Sequence, residues 1–429
     1  MASKNLTCRF CGEHLELTFA DLGAQPLCET YLSANQLKEK EPVFPLHVFF
    51  CKSCFLVQLE ESITPQEMYK NYAYFSSSSK GWLKHCEAYA DMITKKINLN
   101  SKSQVIEVGS NDGYLLQYFV QKNIPVQGIE PAENVAEEAL KKGIPTIVKF
   151  FDKDTANNLV SQNLKGDLVI VNNLIAQVPD VHDFLDGLKT LLKPSGIITL
   201  EFHYLKNLIE KNQFDTISHE RFSYFSLFVI EKFLSSHGLT VFDVEPVSTH
   251  GGSLRLYVCH SENQQIPKTN HQDEIKNEEK TVGLQEIDKY LFYCKKVEQT
   301  KSNLVNILAK VKRGGKSVVG YGAHAEAHTL LNYCGIGTDL LDYLADRNPN
   351  KQGKFLAGVH LPIYSPEKIQ DTKPDYVVIL PWSIKTELMN QLSFISSWGG
   401  RFIVPIPKLE VYDAKLNEIT NNILEEEIV

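Results

Sequence analysis

No stretch of this 429-residue chain approaches the apolar run that a membrane span requires, and the opening residues MASKNLTCRFCGEHLEL hold no apolar core of the secretory kind. A cytoplasmic protein that touches no membrane is expected. Also missing is any long basic run, or any tract that mixes basic with aromatic residues. Acids outnumber bases 52 to 44, for a formal charge of −8, so nucleic acid is not an indicated partner. Cysteine does not suggest a disulfide framework. There are nine, an odd number in a large chain, and four fall into two CxxC pairs, which favours metal in a reducing compartment. One hydrophobic core cannot serve such a length, because cores stop growing at roughly 250–300 residues; two or three domains are expected.

The CxxC pairs are Cys8-Arg9-Phe10-Cys11 and Cys51-Lys52-Ser53-Cys54. Each loop can present two thiolates to one ion, and together they make the closed tetrahedral set of a structural zinc site. The gap of 39 residues between them requires a strand pair or loop that folds back. Four thiolates leave zinc no open position, so Cys8, Cys11, Cys51 and Cys54 are assigned to folding and not to chemistry. After the second pair, Tyr72-Ala73-Tyr74-Phe75 leads into four serines, Ser76 to Ser79. A serine run usually reads as a solvated linker, although the two tyrosines before it are equally suited to lie over a substrate pocket.

The chain is organised around residues 104–116, QVIEVGSNDGYLL. Val105, Ile106 and Val108 read as a buried parallel strand, Gly109 to Gly113 as the turn after it, and Leu115, Leu116 and Tyr118 as a helix. A second strand, VQGIE, ends in Glu130, 17 residues beyond Gly113, where a carboxylate can accept both hydroxyls of a ribose. The turn lacks the third glycine of the dinucleotide fingerprint and carries an acid where a pyrophosphate would sit. A sulfonium nucleoside with an amino-acid tail suits it better, with Asp112 facing the cation. This pattern resembles the first two motifs of class I S-adenosylmethionine (SAM) methyltransferases. Candidate cofactor contacts are Gly109, Asn111, Asp112, Gly113 and Glu130, with Asn173 at the end of the strand DLVIV.

Further strands (GIITLE, LRLYV) continue the α/β rhythm, and FDTISHERFSYFS mixes polar and aromatic residues without period, as pocket lining does. Residues 263–310 read as a polar linker and a connecting helix. Then KSVVGYGA opens a second strand and glycine turn, with a helix through Thr329 and the strands LLDYLAD, PDYVVIL and RFIVPIP. A tight βα turn needs glycine whether or not a nucleotide binds, so this signal is weak alone. The fold class is α/β, divided into a zinc-binding module (1–75), a Rossmann-like SAM-binding methyltransferase domain (76–262), a linker with a connecting helix (263–310) and a second Rossmann-like domain (311–429).

Nearly the whole chain resembles the three-domain C-methyltransferases that methylate keto-deoxysugar nucleotides in antibiotic and surface-polysaccharide pathways. The residues that carry the likeness are the two CxxC pairs, EVGSNDGYLL, GIEPAENVA, FDTI-x-HE-x-x-SYFS, HGGSLR, GYGAxAxAxTLLNYCGI, DRNPNKQGK and VPIP. The resemblance implies structural zinc in the first domain, SAM in the middle one, the nucleotide of a sugar substrate in the last, and a monomer acting on a small molecule. It also implies proton removal beside a carbonyl, giving an enolate that attacks the sulfonium methyl.

Where the family reads Tyr-His-Glu-His, this chain has Ser218-His219-Glu220-Arg221; where it reads Ala-His-Val-Pro, this chain has Ala176-Gln177-Val178-Pro179. Arg221 cannot take the family base's role, because a guanidinium does not deprotonate in a protein. His203 stands where Pro is usual, Glu326 and His328 where Lys and Asn are usual, and Trp382-Ser383 replaces Trp-Asn. The candidate catalytic set is Tyr72, His203, His219, Glu220 and Arg221, with Arg221 alternatively a clamp for an anionic group on the substrate. Candidate substrate contacts are Tyr74, Gln177, Ser218, Tyr224, His250, Arg255, Tyr321, Gly322, His324, His328 and Trp382, with Gly320 also near the nucleotide. C-methylation is expected; methyl transfer to oxygen or nitrogen, altered chemistry on the same scaffold, and a non-catalytic SAM or sugar-nucleotide binder are the alternatives.

Overall fold

The computed structural model describes residues 6–69, 72 and 74–413, with the backbone of strand Glu418–Ile419. The chain gathers into two compact units. The first comprises Met1–Glu16, Phe50–Leu205 and Glu220–Gln285; the second comprises Leu17–Phe49, Lys206–His219 and Glu286–Val429. The N-terminal 75 residues contribute to both units. No helix among the described residues is long and apolar enough to cross a membrane.

The first unit is built on a seven-stranded sheet. Across it run Leu239–Val247, Ser253–His260, Leu192–His203, Gly166–Asn172, Val105–Val108, Val126–Ile129 and Thr146–Ile147. The last five are parallel, and the first two add an antiparallel hairpin. Val105–Val108 is buried at all four positions, as a strand covered on both faces must be. Strand order reverses between Val105–Val108 and Gly166–Asn172, and the carboxyl ends of those two strands mark the crevice where such sheets take ligands. Helix Lys80–Lys96 presses Tyr89, Ala90 and Ile93 onto a core with Val105, Leu115, Phe119, Leu168 and Tyr257. Each large apolar side chain buried there contributes about 1.5–3 kcal/mol. Ser79 starts that helix by accepting the Trp82 amide at 3.3 Å, so the end of the serine run is an N-cap.

The polar stretch expected as a linker is not solvated throughout. Helix His271–Thr281 buries Glu279 completely, and that carboxylate accepts the Leu227 and Phe228 amides at 2.6 and 3.0 Å, at the start of helix Leu227–Ser236. Four orphan N–H groups at a helix start make such an acceptor favourable.

The second unit repeats the plan. Its sheet runs Ile363–Tyr364, Leu344–Ala345, Val318–Tyr321, Tyr376–Ile379, Arg401–Val404, Glu410–Tyr412 and Glu418–Ile419, the first five parallel and the last two antiparallel. Order reverses between Val318–Tyr321 and Tyr376–Ile379. The connecting helix is Ile287–Arg313, and its Tyr293 stacks on Phe19 of strand Leu17–Gln25 at 4.7 Å. The helix after the glycine turn, expected through Thr329, runs Ala325–Cys334.

Candidate functional site

Four cysteines meet in the first unit. Cys8 and Cys54 sulfurs lie 3.5 Å apart, as do those of Cys11 and Cys51, and all four fall within 4.8 Å of one another. A tetrahedron with Zn–S bonds of about 2.3 Å has edges of roughly 3.8 Å, so the set fits zinc. Each loop closes through a left-handed residue. Gly12 (φ 74°) returns its N–H to the Cys8 carbonyl at 2.9 Å, and Phe55 (φ 66°) does the same to Cys51 at 2.9 Å. Gln58 donates Nε2–H to the Cys8 sulfur at 3.1 Å, which favours the thiolate a metal needs.

At the first sheet's crevice, Gly109 and Gly113 both have φ 76° and Asn111 has φ 45°. A Cβ on Gly113 would come 2.3 Å from the Ile144 Cδ1, and one on Gly109 would come 3.1 Å from Leu174. Backbone conformation and packing therefore demand both glycines, before any ligand is considered. Glu130 is buried, which pushes its carboxyl up, while the Ala132 and Asn111 amides that it accepts, each at 2.9 Å, oppose the rise. Asp112 does not face an empty space. Lys142 reaches its Oδ2 at 3.2 Å and its carbonyl at 2.8 Å, so the charge that was to meet a sulfonium is already matched. The Asp112 Oδ1 and the Asn173 Oδ1 are buried without a hydrogen-bond partner among the described residues, and Asn173 is held by its amide on the Glu201 carbonyl at 2.6 Å. Two orphaned oxygens at the carboxyl ends of adjacent parallel strands fit a ligand rich in N–H and O–H groups, such as SAM.

Asn111 does more than line the turn. Its side chain accepts the Ser76 amide at 2.9 Å and donates to the Tyr74 carbonyl at 3.2 Å. Asn134 holds the Tyr72 carbonyl at 2.9 Å, and Lys142 reaches the Ser77 hydroxyl at 2.9 Å. The serine run is thus a strap fastened across the glycine turn, with Ser76 buried and the Tyr74 ring exposed. Tyr72 packs its ring 5.0 Å from that of Tyr69, whose hydroxyl donates to Gln177 at 2.6 Å.

At the end of strand Leu192–His203, His203 lies beside Arg221, with contacts of 3.3 and 3.4 Å between the two ring nitrogens and the guanidinium, and 5.0 Å from the His250 ring. Burial, the Arg221 cation and His250 together hold its imidazole well below the usual range, so it is neutral at pH 7. His250, exposed and left-handed at φ 51°, also faces Trp82 at 5.3 Å. Arg255, expected as a substrate contact, is buried in an ion network. Its guanidinium is spent on Glu201 (2.7 Å) and Glu245 (2.6 Å), touches His85 (3.1 Å) and covers the Tyr89 ring. Burial would raise the Glu201 carboxyl, but His85 and Arg255 outweigh it and bring it to about 2. Tyr224 is likewise enclosed, in a two-residue strand paired with Val57. Glu220 is half-buried in the same unit.

Ser218 and His219 belong to the second unit and are buried; His219 meets the Phe44 carbonyl at 3.1 Å. The second crevice holds Tyr321, whose hydroxyl accepts from Arg347 at 3.0 Å, and Gly322, at φ 95° with Pro381 where a Cβ would stand. His324 caps helix Ala325–Cys334 by accepting the Ala327 amide at 3.2 Å. His328, expected as a substrate contact, lies in the interior. It is 1% exposed, and burial and the His219 ring, opposed by the Pro26 carbonyl, pull its imidazole down to about 4; it is a neutral interior group and not a presented one. Trp382 donates its indole N–H to Asp215 at 2.6 Å. The sequence reading missed Asp215, and it passed over Glu107, fully buried within Val105–Val108 beside the Tyr114 hydroxyl; an acid inside the apolar run VIEV was the signal.

Comparison with known proteins agrees in its extent with these features. Three families match: a zinc binding domain over residues 8–69, a methyltransferase domain over 83–244, and a C-methyltransferase C-terminal domain over 248–407. The chain is a SAM-dependent methyltransferase with a zinc-binding N-terminal part. C-methyltransferase NovU of Streptomyces niveus is 34% identical over 411 residues, covering 95% of this chain and 97% of NovU. This chain belongs to that three-domain C-methyltransferase family. Among solved structures, a SAM-dependent methyltransferase from Clostridium acetobutylicum matches at 14% identity and a TM-score of 0.34, covering 42% of this chain and 92% of its own. Magnesium protoporphyrin IX methyltransferase from Synechocystis, with bound SAM, matches at 15% and 0.31, covering 45% and 88%.

Proposed function

We propose that the methyl acceptor is a carbon beside the carbonyl of a nucleotide-linked keto-deoxysugar, reached through an enolate. The observation that carries this reading is the second doubly wound sheet with its own glycine turn, a nucleotide-holding plan in the same chain as a methyl-donor fold. SAM supplies an electrophilic methyl on a sulfonium. Gly109, Gly113, Glu130, Asn173 and the free oxygen of Asp112 hold it, with Asn111 fixing the turn. His203, kept neutral, has a lone pair with which to take the proton from the acceptor carbon. The electron pair left behind is the enolate, and the Arg221 guanidinium beside His203 stabilises that oxyanion, which in turn offsets the charge gained by the imidazole. A base of this kind contributes roughly 10² to 10⁴ in rate. Glu220 and Tyr72 position these groups. The four cysteines hold zinc for folding.

The test uses keto and non-keto sugar nucleotides with SAM, read by mass for a gain of one methylene. Solvent deuterium exchange beside the carbonyl, without SAM, then reports the enolate, and His203→Asn is expected to abolish it. A product methylated on oxygen or nitrogen, with no exchange, would overturn the mechanism and leave Arg221 as a clamp for an anionic group.

A further inference from the structure

The 3-10 turn Phe214–Thr216 carries an acid that no step above uses. Within the second unit this turn is fastened to helix Ala325–Cys334: Thr329 donates to the Ile217 carbonyl at 2.9 Å, and Phe214 meets the Tyr333 ring at 5.6 Å. Asp215 is thereby held beside Trp382, three residues past strand Tyr376–Ile379, and near Glu326, in the first turn of the helix that follows Val318–Tyr321. Those two strands are the neighbours between which the sheet's order reverses, so Asp215 stands at the second unit's ligand crevice.

The carboxyl is 2% exposed. Its Oδ2 accepts the Trp382 indole N–H at 2.6 Å, while its Oδ1 finds no partner at hydrogen-bond geometry among the described residues. A buried polar atom without a partner is uncommon and costly, and it signals a role beyond packing. The charged groups that face it are Glu326 and, 3.8 Å from Glu326, His324. Burial and the Glu326 charge push the Asp215 carboxyl well up, with the Trp382 bond and the Asp215 and Thr216 amides opposing, which favours its protonated form. A phosphate would meet like charge here, and the neighbouring helix start is already capped by His324. A protonated carboxyl with an unpartnered oxygen can both donate and accept, which is the pattern a sugar hydroxyl presents.

We infer that Asp215 is a ligand contact of the second sheet, bonding through Oδ1 to hydroxyls of a sugar ring, either the ribose of a nucleotide or the hexose linked to it. The inference rests on the nucleotide-sugar reading and adds a residue and a chemical group to it.

Calorimetry separates the two sources. Uridine diphosphate, 2′-deoxyuridine diphosphate and UDP-glucose are titrated into the full chain, with 5-methyluridine and thymidine diphosphates as a second base-matched ribo/deoxy pair. If the ribose is the source, the ribonucleotides bind at least tenfold more tightly than their deoxy partners. If the hexose is the source, that gap is absent and UDP-glucose exceeds uridine diphosphate by a similar factor. In Asp215→Asn the amide oxygen keeps the Trp382 bond but the NH2 only donates, and the preference is lost; Asp215→Ala loses it outright. SAM affinity serves as the folding control for both variants. Absence of either preference in the wild type, or its survival in both folded variants, overturns the inference alone. Failure of every nucleotide to bind while SAM binds overturns the nucleotide-sugar reading and this inference with it.

Discussion

Both sheets put a glycine turn after the first strand and an acid after the second, and in both the acid does the same local work. Glu130 accepts one amide from its turn (Asn111) and one from two residues on (Ala132); Asp346 accepts one from its turn (Ala323, 2.7 Å) and one from two residues on (Asn348, 2.8 Å). The difference lies around the clamp. The first turn adds Asp112, Lys142 and the strap, and leaves oxygens open at Asp112 and Asn173; the second closes its helix start with His324 and packs Gly322 on Pro381. An acid at the second strand's end is thus a fastening of the fold first, and ligand identity resides in the side chains around it.

The largest expected effect breaks the comparison at its base. Cys51→Ser removes a thiolate from a site that, among the described residues, only the first unit has, so bound zinc falls from about one per chain to near none, and the melting transition of that unit drops. Structural zinc is worth on the order of 10 kcal/mol to small domains. Metal analysis with calorimetric melting checks both; retained zinc would contradict the cluster.

Acid should reach His328 and Glu201 in different ranges. His328 has a folded value of about 4 against about 6.5 unfolded, so the unfolded chain binds the extra proton first. The second unit's stability is then full above pH 6.5 and falls toward pH 4, by roughly 3 kcal/mol in all. Glu201, at about 2, supports the first unit with the same sign over a lower range: that contribution stands above pH 4.5 and is lost only below it. Urea unfolding at pH 7 and 5 tests this, and His328→Gln should flatten the slope between them.

Smaller again is the clamp itself. Glu130→Ala should weaken SAM binding by about 1.5–3 kcal/mol, tenfold to a hundredfold, whereas Asp346→Ala should leave SAM affinity unchanged. Equal losses of SAM affinity in the two variants would undo the separate assignments.

How much of this the sequence disclosed depended on how local the signal was. The Val105–Val108 strand, its turn and the CxxC loops are written in consecutive residues, and so was the second turn. Arg255 read as a presented cation because its partners Glu201, Glu245 and His85 lie on other elements, and nothing local says that a buried ion network has claimed it. The serine run read as solvent-facing because the asparagines and lysine that fasten it come 35 to 65 residues later. Asp346 went unnoticed in LLDYLAD although it clamps amides as Glu130 does: a strand-end acid looks alike whether or not a ligand joins the amides it holds. Asp215 sits in a segment recognised as pocket lining, but its indole partner is 167 residues away.

The salt bridge between Asp112 and Lys142 bears on how the protein discriminates reactant from product. A carboxylate whose charge is already matched gives little electrostatic advantage to a cationic sulfonium over the neutral thioether that remains once the methyl has left. On the role proposed for Asp112, this residue would hold the spent donor nearly as firmly as the fresh one. Sustained turnover would then depend on something outside the protein that clears the thioether away, and its accumulation would act as a brake.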